Sequence, residues 1–164
     1  MANGDIGDML RAVFRLEAER VVCAARLGRV PGAEAMMADV DTRLGAAFEA
    51  LEAHNTLYPL HMIARRYRLS QEDYLILQLA LLAHHSNGDV LIASVTDALG
   101  DAAPKIRLSH ALALIAEGFD DWARARAELE TLPIFRERLV LMDSEADDPL
   151  LAVSPAVLEL AGLG

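Results

Sequence analysis

The sequence predicts a mainly α fold: an N-terminal helical hairpin, a set of short helices and one β-hairpin near the C-terminus. Three observations carry this expectation. Aromatic residues make up only 5% of a chain that is 54% hydrophobic, so its core must be built from Leu, Ala, Val, Ile and Met, which favours helix. Apolar residues recur at spacings of three and four through most of the chain, the helical period. Two short aliphatic runs, RLVLM at 138–142 and LLAV at 150–153, break that period and are joined by the turn DSEADDP, as in a β-hairpin.

Each element follows in order. Over residues 5–28, Leu10, Val13, Phe14, Val21 and Ala24 give helical periodicity that stops at Gly28. After RVPG, residues 33–54 place Met37, Val40, Leu44, Ala47 and Leu51 on a narrow seam suited to pairing with another helix. These two helices form the expected hairpin, residues 1–55, and HNTLYP marks the boundary with a second unit, 56–164.

From Pro59, Leu60, Ile63, Ala64 and Tyr67 share one face of a short helix, and Arg65, Arg66 and Arg68 lie on the other. Ser70 is placed to cap the next helix, with Glu72 and Asp73 in its first turn, where the helix dipole favours acids. Between Tyr74 and Ala83 only Gln78 interrupts the apolar run. That run is about ten residues, half of what a membrane span requires, so it is expected to be a buried central helix. SNGD breaks it at 86–89.

Leu91, Ile92, Val95 and Leu99 mark another helix, and Leu108, Ala111, Leu112 and Ile115 a further one closed by Gly118. Phe119, Trp122, Leu129 and Leu132 line a helix that begins at Asp120 and Asp121 and is expected to stop at Pro133. After the β-hairpin, Ser154 and Pro155 supply an N-cap and a first-turn proline for a final helix. Short helices followed by a β-hairpin make the second unit winged-helix-like.

Charge narrows the functional classes. The formal net charge is −10, and the 15 basic residues are 14 Arg and Lys105. Residues 1–55 carry −3, 56–136 carry −2 and 137–164 carry −5. Arg65, Arg66 and Arg68 form the only dense basic cluster, while the hairpin tip that would approach a DNA backbone carries Asp143, Glu145, Asp147 and Asp148. Duplex binding depends on neutralising phosphates, so a protein partner is the leading expectation for this surface, a winged-helix regulator on DNA the alternative.

No GxxxxGK[ST], GxGxxG, GxSxG or HExxH is present, so the expectation is a non-catalytic chain without a cofactor of its own. Asp143, Glu145 and Asp147 alternate like the first ligands of a calcium loop, but Asp148 stands where Gly is needed and Ser154 where the bidentate Glu belongs. His84 and His85 are adjacent and would point about 100° apart on a helix; they are expected to end it as imidazolium suited to the C-terminal dipole. His61 and His110 stand isolated in sequence, Cys23 lies among apolar residues as a small core side chain, and Trp122 is expected to anchor the core. A lone cysteine and an N-terminus without a basic, apolar leader pattern give a cytoplasmic expectation.

Taken together, LYPLHMIARRYRLSQEDYLILQLALLA, APKIRLSHALALI, DDWARARAELETLPIF, RLVLMD and LLAVSPAVLELAGLG resemble the winged-helix region that precedes the ATPase cassette in a bacterial AAA-type ATPase family. The resemblance covers about residues 57–164. It departs where DALGDAAPK stands in place of the family's threonine and arginine run. It implies a protein-interaction or regulatory module whose cassette, with its ATP and Mg, lies beyond Gly164, and whose partners are that cassette or components of contractile tails. Self-association stays open, as does a free-standing helical adaptor.

Overall fold

Two long helices open the chain, α1 (Ala2–Arg26) and α2 (Ala33–Ala53). The computed structural model describes residues 2–101, 103–116, 120–143 and 145–163, with side chains from residue 6 onward. The link between the helices turns at Gly28 (φ +74°) and Gly32 (φ +84°), left-handed positions that glycine adopts without a Cβ clash. Arg20 pairs with Asp41 at 2.7 Å and Arg43 with Glu19 at 3.4 Å, so the helices run antiparallel. Val40, Leu44 and Leu51 of the expected seam are buried, and Met37 and Ala47 are half-buried; the seam packs on α1.

α3 (Pro59–Arg66) starts on its proline and ends at Tyr67 and Arg68, the latter at φ +53°. α4 (Gln71–Ala80) begins with a reciprocal cap: Ser70 Oγ accepts from Asp73 N–H at 3.1 Å, and Asp73 Oδ2 accepts from Ser70 N–H at 2.9 Å. The expected helix through His85 is shorter than the apolar run suggested. Residues 81–84 tighten into a 3₁₀ turn, because the chain must reverse at once into α5 (Gly88–Ala98).

The remaining helices are α6 (Leu108–Ile115), α7 (Trp122–Glu130), α8 (Pro133–Arg136) and α9 (Pro155–Leu160). Pro133 does end α7, yet it also begins α8, since a first-turn proline lacks only an N–H that the helix does not use. Ser154 and Asp121 cap α9 and α7 as expected. Gly118, Phe119 and Ser144 lie outside the described residues.

β1 (Val140–Met142) and β2 (Leu151–Val153) pair antiparallel, Val140 opposite Val153 and Met142 opposite Leu151. A further edge joins them that the sequence did not announce. Arg107 bridges Leu150, with Leu108 N–H donating to Pro149 O at 2.9 Å and Leu151 N–H to Ile106 O at 3.0 Å. Two residues are too few to show strand alternation. The fold is thus mainly helical, a helical hairpin followed by a winged-helix-like domain with one β-hairpin.

α4 occupies the centre. Every residue from 76 to 82 is buried, and α4 packs against α1, α6, α8 and β2. Asp73 extends this hub: its Oδ1 accepts from Ile134 N–H at 3.2 Å, fastening the start of α8 to the start of α4. The apolar cluster is continuous from Val13 on α1 to Val157 on α9, so α1 contributes to the same core as the short helices. Among the described residues no helix is long and apolar enough to cross a membrane.

Candidate functional site

Arg65 and Arg66 form the last turn of α3, and Arg68 follows it. All three are exposed. Arg66 lies 5.8 Å from the centre of the Tyr67 ring, and none of the three forms an ion pair among the described residues. Arg65 borders a cleft of about 770 Å³ between the end of α2 and α3. At its lip stand Leu57, 66% exposed, and Met62, 52% exposed. An unpaired cationic edge therefore adjoins exposed apolar side chains.

The acids of the hairpin tip divide into two kinds. Asp143, Glu145 and Asp147 are exposed, and Asp143 Oδ1 accepts from Glu145 N–H at 3.0 Å. Asp148 instead turns inward to the start of α6. It accepts from Ser109 N–H at 2.9 Å and from Ser109 Oγ at 2.6 Å, placing a carboxylate where the helix dipole favours it. The loop backbone is held as well: Trp122 Nε1 donates to Asp147 O at 3.0 Å, and Arg126 donates to Ala146 O and Asp147 O. The expected anchor Trp122 is thus half-buried against the core while its indole N–H ties down the tip. Within the described residues, no hydrogen bond or ion pair joins the tip acids to Arg65, Arg66 or Arg68.

A third polar group is one that sequence reasoning passed over. Glu17 of α1 is 4% exposed, and Tyr74 of α4 donates its hydroxyl to that carboxyl, at 2.8 Å from Oε2 and 3.0 Å from Oε1. Burial pushes the Glu17 carboxyl up to about 7, against the opposing influence of Tyr74, Tyr58, Gln78 and Arg20. His61 of α3 brings Nε2 to 3.9 Å from Glu17 Oε2, and its imidazole is lowered by burial first and by Arg65 second. Burial and the nearby Glu17 raise both Tyr58 and Tyr74. Tyr58 also interacts with the Glu17 carboxyl through its hydroxyl, at a geometry looser than that of Tyr74.

The signal for this group was present. Leu10, Phe14, Glu17, Val21 and Ala24 follow one another at +4, +3, +4 and +3, so Glu17 stands on the apolar stripe of α1, as Gln78 stands within the apolar run of α4. Charge or polarity on a core-facing stripe marks a buried polar contact. The contact closes only when α1, α3 and α4 meet.

The other histidines are placed by packing. His85 stacks on Phe14 with ring centres 3.8 Å apart, and burial lowers it to about 4. It is therefore neutral near pH 7, which corrects the expectation of an imidazolium at this helix end. His110 accepts from Arg107 N–H at Nδ1, 2.9 Å, leaving Nε2 to donate to Asp101 at 2.8 Å. Cys23 is buried, which pushes its thiol up. Among the described residues no group of three His, Cys, Asp or Glu is arranged around a common metal position.

No family model, curated protein or solved structure matches this chain.

Proposed function

We propose that this chain is a non-catalytic protein-interaction and regulatory module, the amino-terminal part of a AAA-type ATPase whose cassette, with its ATP and Mg, follows residue 164. The observation that supports it is the surface at the end of α3. Arg65, Arg66 and Arg68 are exposed and carry no ion pair among the described residues, beside the exposed Leu57 and Met62. Arginine next to apolar side chains is the composition of protein interfaces, and it suits an acidic segment of the cassette or of a contractile-tail component.

Charge pairing on α7 argues against the DNA-binding alternative. In helix-turn-helix proteins a recognition helix faces the duplex, and α7 is the longer of the two helices that directly precede the hairpin. Here Arg124 and Arg126 on that helix lie 3.5 and 3.1 Å from Glu128 and Glu130, and the neighbouring tip is acidic. On α7 itself a phosphate backbone would meet arginines already paired with acids.

The test uses the full-length chain. Its reading frame should continue into a GxxxxGK[ST] motif. Arg65→Glu, Arg66→Glu and Arg68→Glu together should change ATPase rate or ring assembly severalfold without moving the melting temperature, because exposed charges contribute little to stability. A frame that ends without the motif, or a triple variant with unaltered rate and assembly, removes this reading. The first outcome leaves the free-standing adaptor; salt-dependent duplex binding abolished in the triple variant would favour the DNA regulator.

A further inference from the structure

Several surface arginines are matched by acids close at hand: Arg11 by Asp8, Arg43 by Asp39, Arg124 by Glu128 and Arg126 by Glu130. Two clusters of like charge are not. Arg65, Arg66 and Arg68 at the end of α3 are exposed and form no ion pair among the described residues, and the same holds for Asp143, Glu145 and Asp147 at the hairpin tip. Each cluster also has an apolar flank. Leu57 and Met62 stand beside the arginines at the lip of the cleft between α2 and α3, and Leu141 and Leu150, on the two arms of the hairpin, are exposed beside the acids.

The tip is not free to swing. Trp122 and Arg126 hold its backbone at Asp147, and Asp148 is anchored on Ser109. A loop fixed in this way has already lost the freedom that docking would otherwise cost. Its exposed acids make no hydrogen bond or ion pair with the arginines of their own molecule among the described residues, so a second molecule is needed to bring the two clusters together.

We propose that the α3 surface is occupied by a second copy of this chain, whose Asp143, Glu145 and Asp147 dock against Arg65, Arg66 and Arg68 while Leu141 and Leu150 meet Leu57 and Met62. Three guanidinium groups face three carboxylates, and charge and apolar flanks are complementary in one patch. A single exposed ion pair contributes little, so the contact draws on several pairs together with their flanks. The net charge of −10 opposes association, but groups more than about 8 Å apart are largely screened at physiological salt, whereas pairs in contact are screened less. Half of that excess, −5, lies in residues 137–164, and this contact brings part of it to cations. Each copy carries both halves of the contact, so copies join two-fold, exchanging tips, or head to tail. This pairing rests on the end of α3 being a protein-docking surface and supplies its partner.

The test is sedimentation equilibrium of the 164-residue chain in about 0.15 M salt, over about 1 µM to 1 mM. The average mass should rise with concentration, and raising the salt to about 1 M should weaken association at least about tenfold. Arg65→Glu, Arg66→Glu and Arg68→Glu together, and Asp143→Lys, Glu145→Lys and Asp147→Lys together, should each give a monomer that melts as the wild type does. An equimolar mixture of the two should associate again, because the reversed clusters then face each other with opposite sign. Asp8→Lys, Asp39→Lys and Glu128→Lys, a charge change equal to that of the second set at exposed positions elsewhere, should leave association intact. Should either cluster variant fail to fold, Arg65→Gln, Arg66→Gln and Arg68→Gln together, expected to weaken association severalfold, decide. A monomeric wild type, association indifferent to salt or undiminished in a cluster variant, a mixture that stays monomeric, or loss of association in the Asp8, Asp39 and Glu128 variant overturns the proposal. A monomeric wild type whose full-length arginine variant still alters ATPase rate or ring assembly refutes the second copy and leaves the docking surface standing.

Discussion

The hydroxyl of Tyr74 on α4 lies 2.8 Å from the Glu17 carboxyl on α1, a bond between residues 57 positions apart that fastens the N-terminal hairpin to the central helix. Around it lie His61 of α3, Tyr58 just before that helix, Gln78 of α4, Arg20 of its own helix and His85, which follows the turn after α4.

Stability should therefore fall as pH rises through the acidic range. The folded Glu17 holds its proton up to about 7, against 4.5 for the ordinary carboxyl. The protonated form's contribution is intact below about 4.5, is lost progressively as pH rises, and is gone above about 7. At 1.36 kcal/mol per pKa unit the difference corresponds to roughly 3 kcal/mol. Glu17→Gln keeps a group able to accept from Tyr74 and does not titrate, so it should melt higher than the wild type at pH 8, with the gap closing towards pH 5. A wild-type melting temperature flat between pH 5 and 8 would sink this account.

Leu77→Asp should abolish folding. Leu77 is fully buried at the hub of the core, with α1, α6, α8 and β2 packed around its helix, and an unpaired carboxylate there costs at least ~4 kcal/mol. Circular dichroism and thermal melting read the result; a variant with unchanged stability would show that α4 is not the centre.

Gly88→Ala should destabilise although φ there is ordinary. A Cβ at Gly88 would sit 2.7 Å from Leu82 O and 3.3 Å from Ala83 O, both backbone atoms of the 3₁₀ turn, which can yield only by shifting the junction of α4 and α5. The cost should be roughly 1–3 kcal/mol, measured from the urea midpoint. An equal or higher midpoint would mean that the turn is looser than its geometry implies.

Asp148→Ala should lower stability by about 1 kcal/mol, the worth of a helix cap, and release the hairpin tip. Asp148→Asn, which keeps an acceptor for Ser109, should recover part of that loss. Asp143→Ala, at an exposed position on the same tip, should change little. Identical losses for Asp143→Ala and Asp148→Ala would remove the distinction between the surface acids and the capping one. Thermal melting and hydrogen exchange at Ser109 N–H measure both.

The sequence by itself determined the order of helices apart from α8, the hairpin and a buried central run, which the structure confines to residues 76–82 with Ala83 exposed, because these rest on local signals: the apolar period, Gly28 as a stop, Ser70, Asp121 and Ser154 as caps, and Pro155 in a first turn. It also located the exposed arginines at the end of α3, since three charges opposite an apolar face must meet solvent. Only the tertiary structure decided what depends on approach between distant segments. Arg107 and Leu150 become strand partners, Asp148 leaves the acidic tip to cap α6, His85 is discharged by burial beside Phe14, and Glu17 meets Tyr74. Periodicity reports which face a residue occupies, but not which atom waits on the other side. Desolvation and hydrogen bonding are set by that atom, and they separate the acids of this chain that remain on the surface from Asp73 and Glu17, which close its interior.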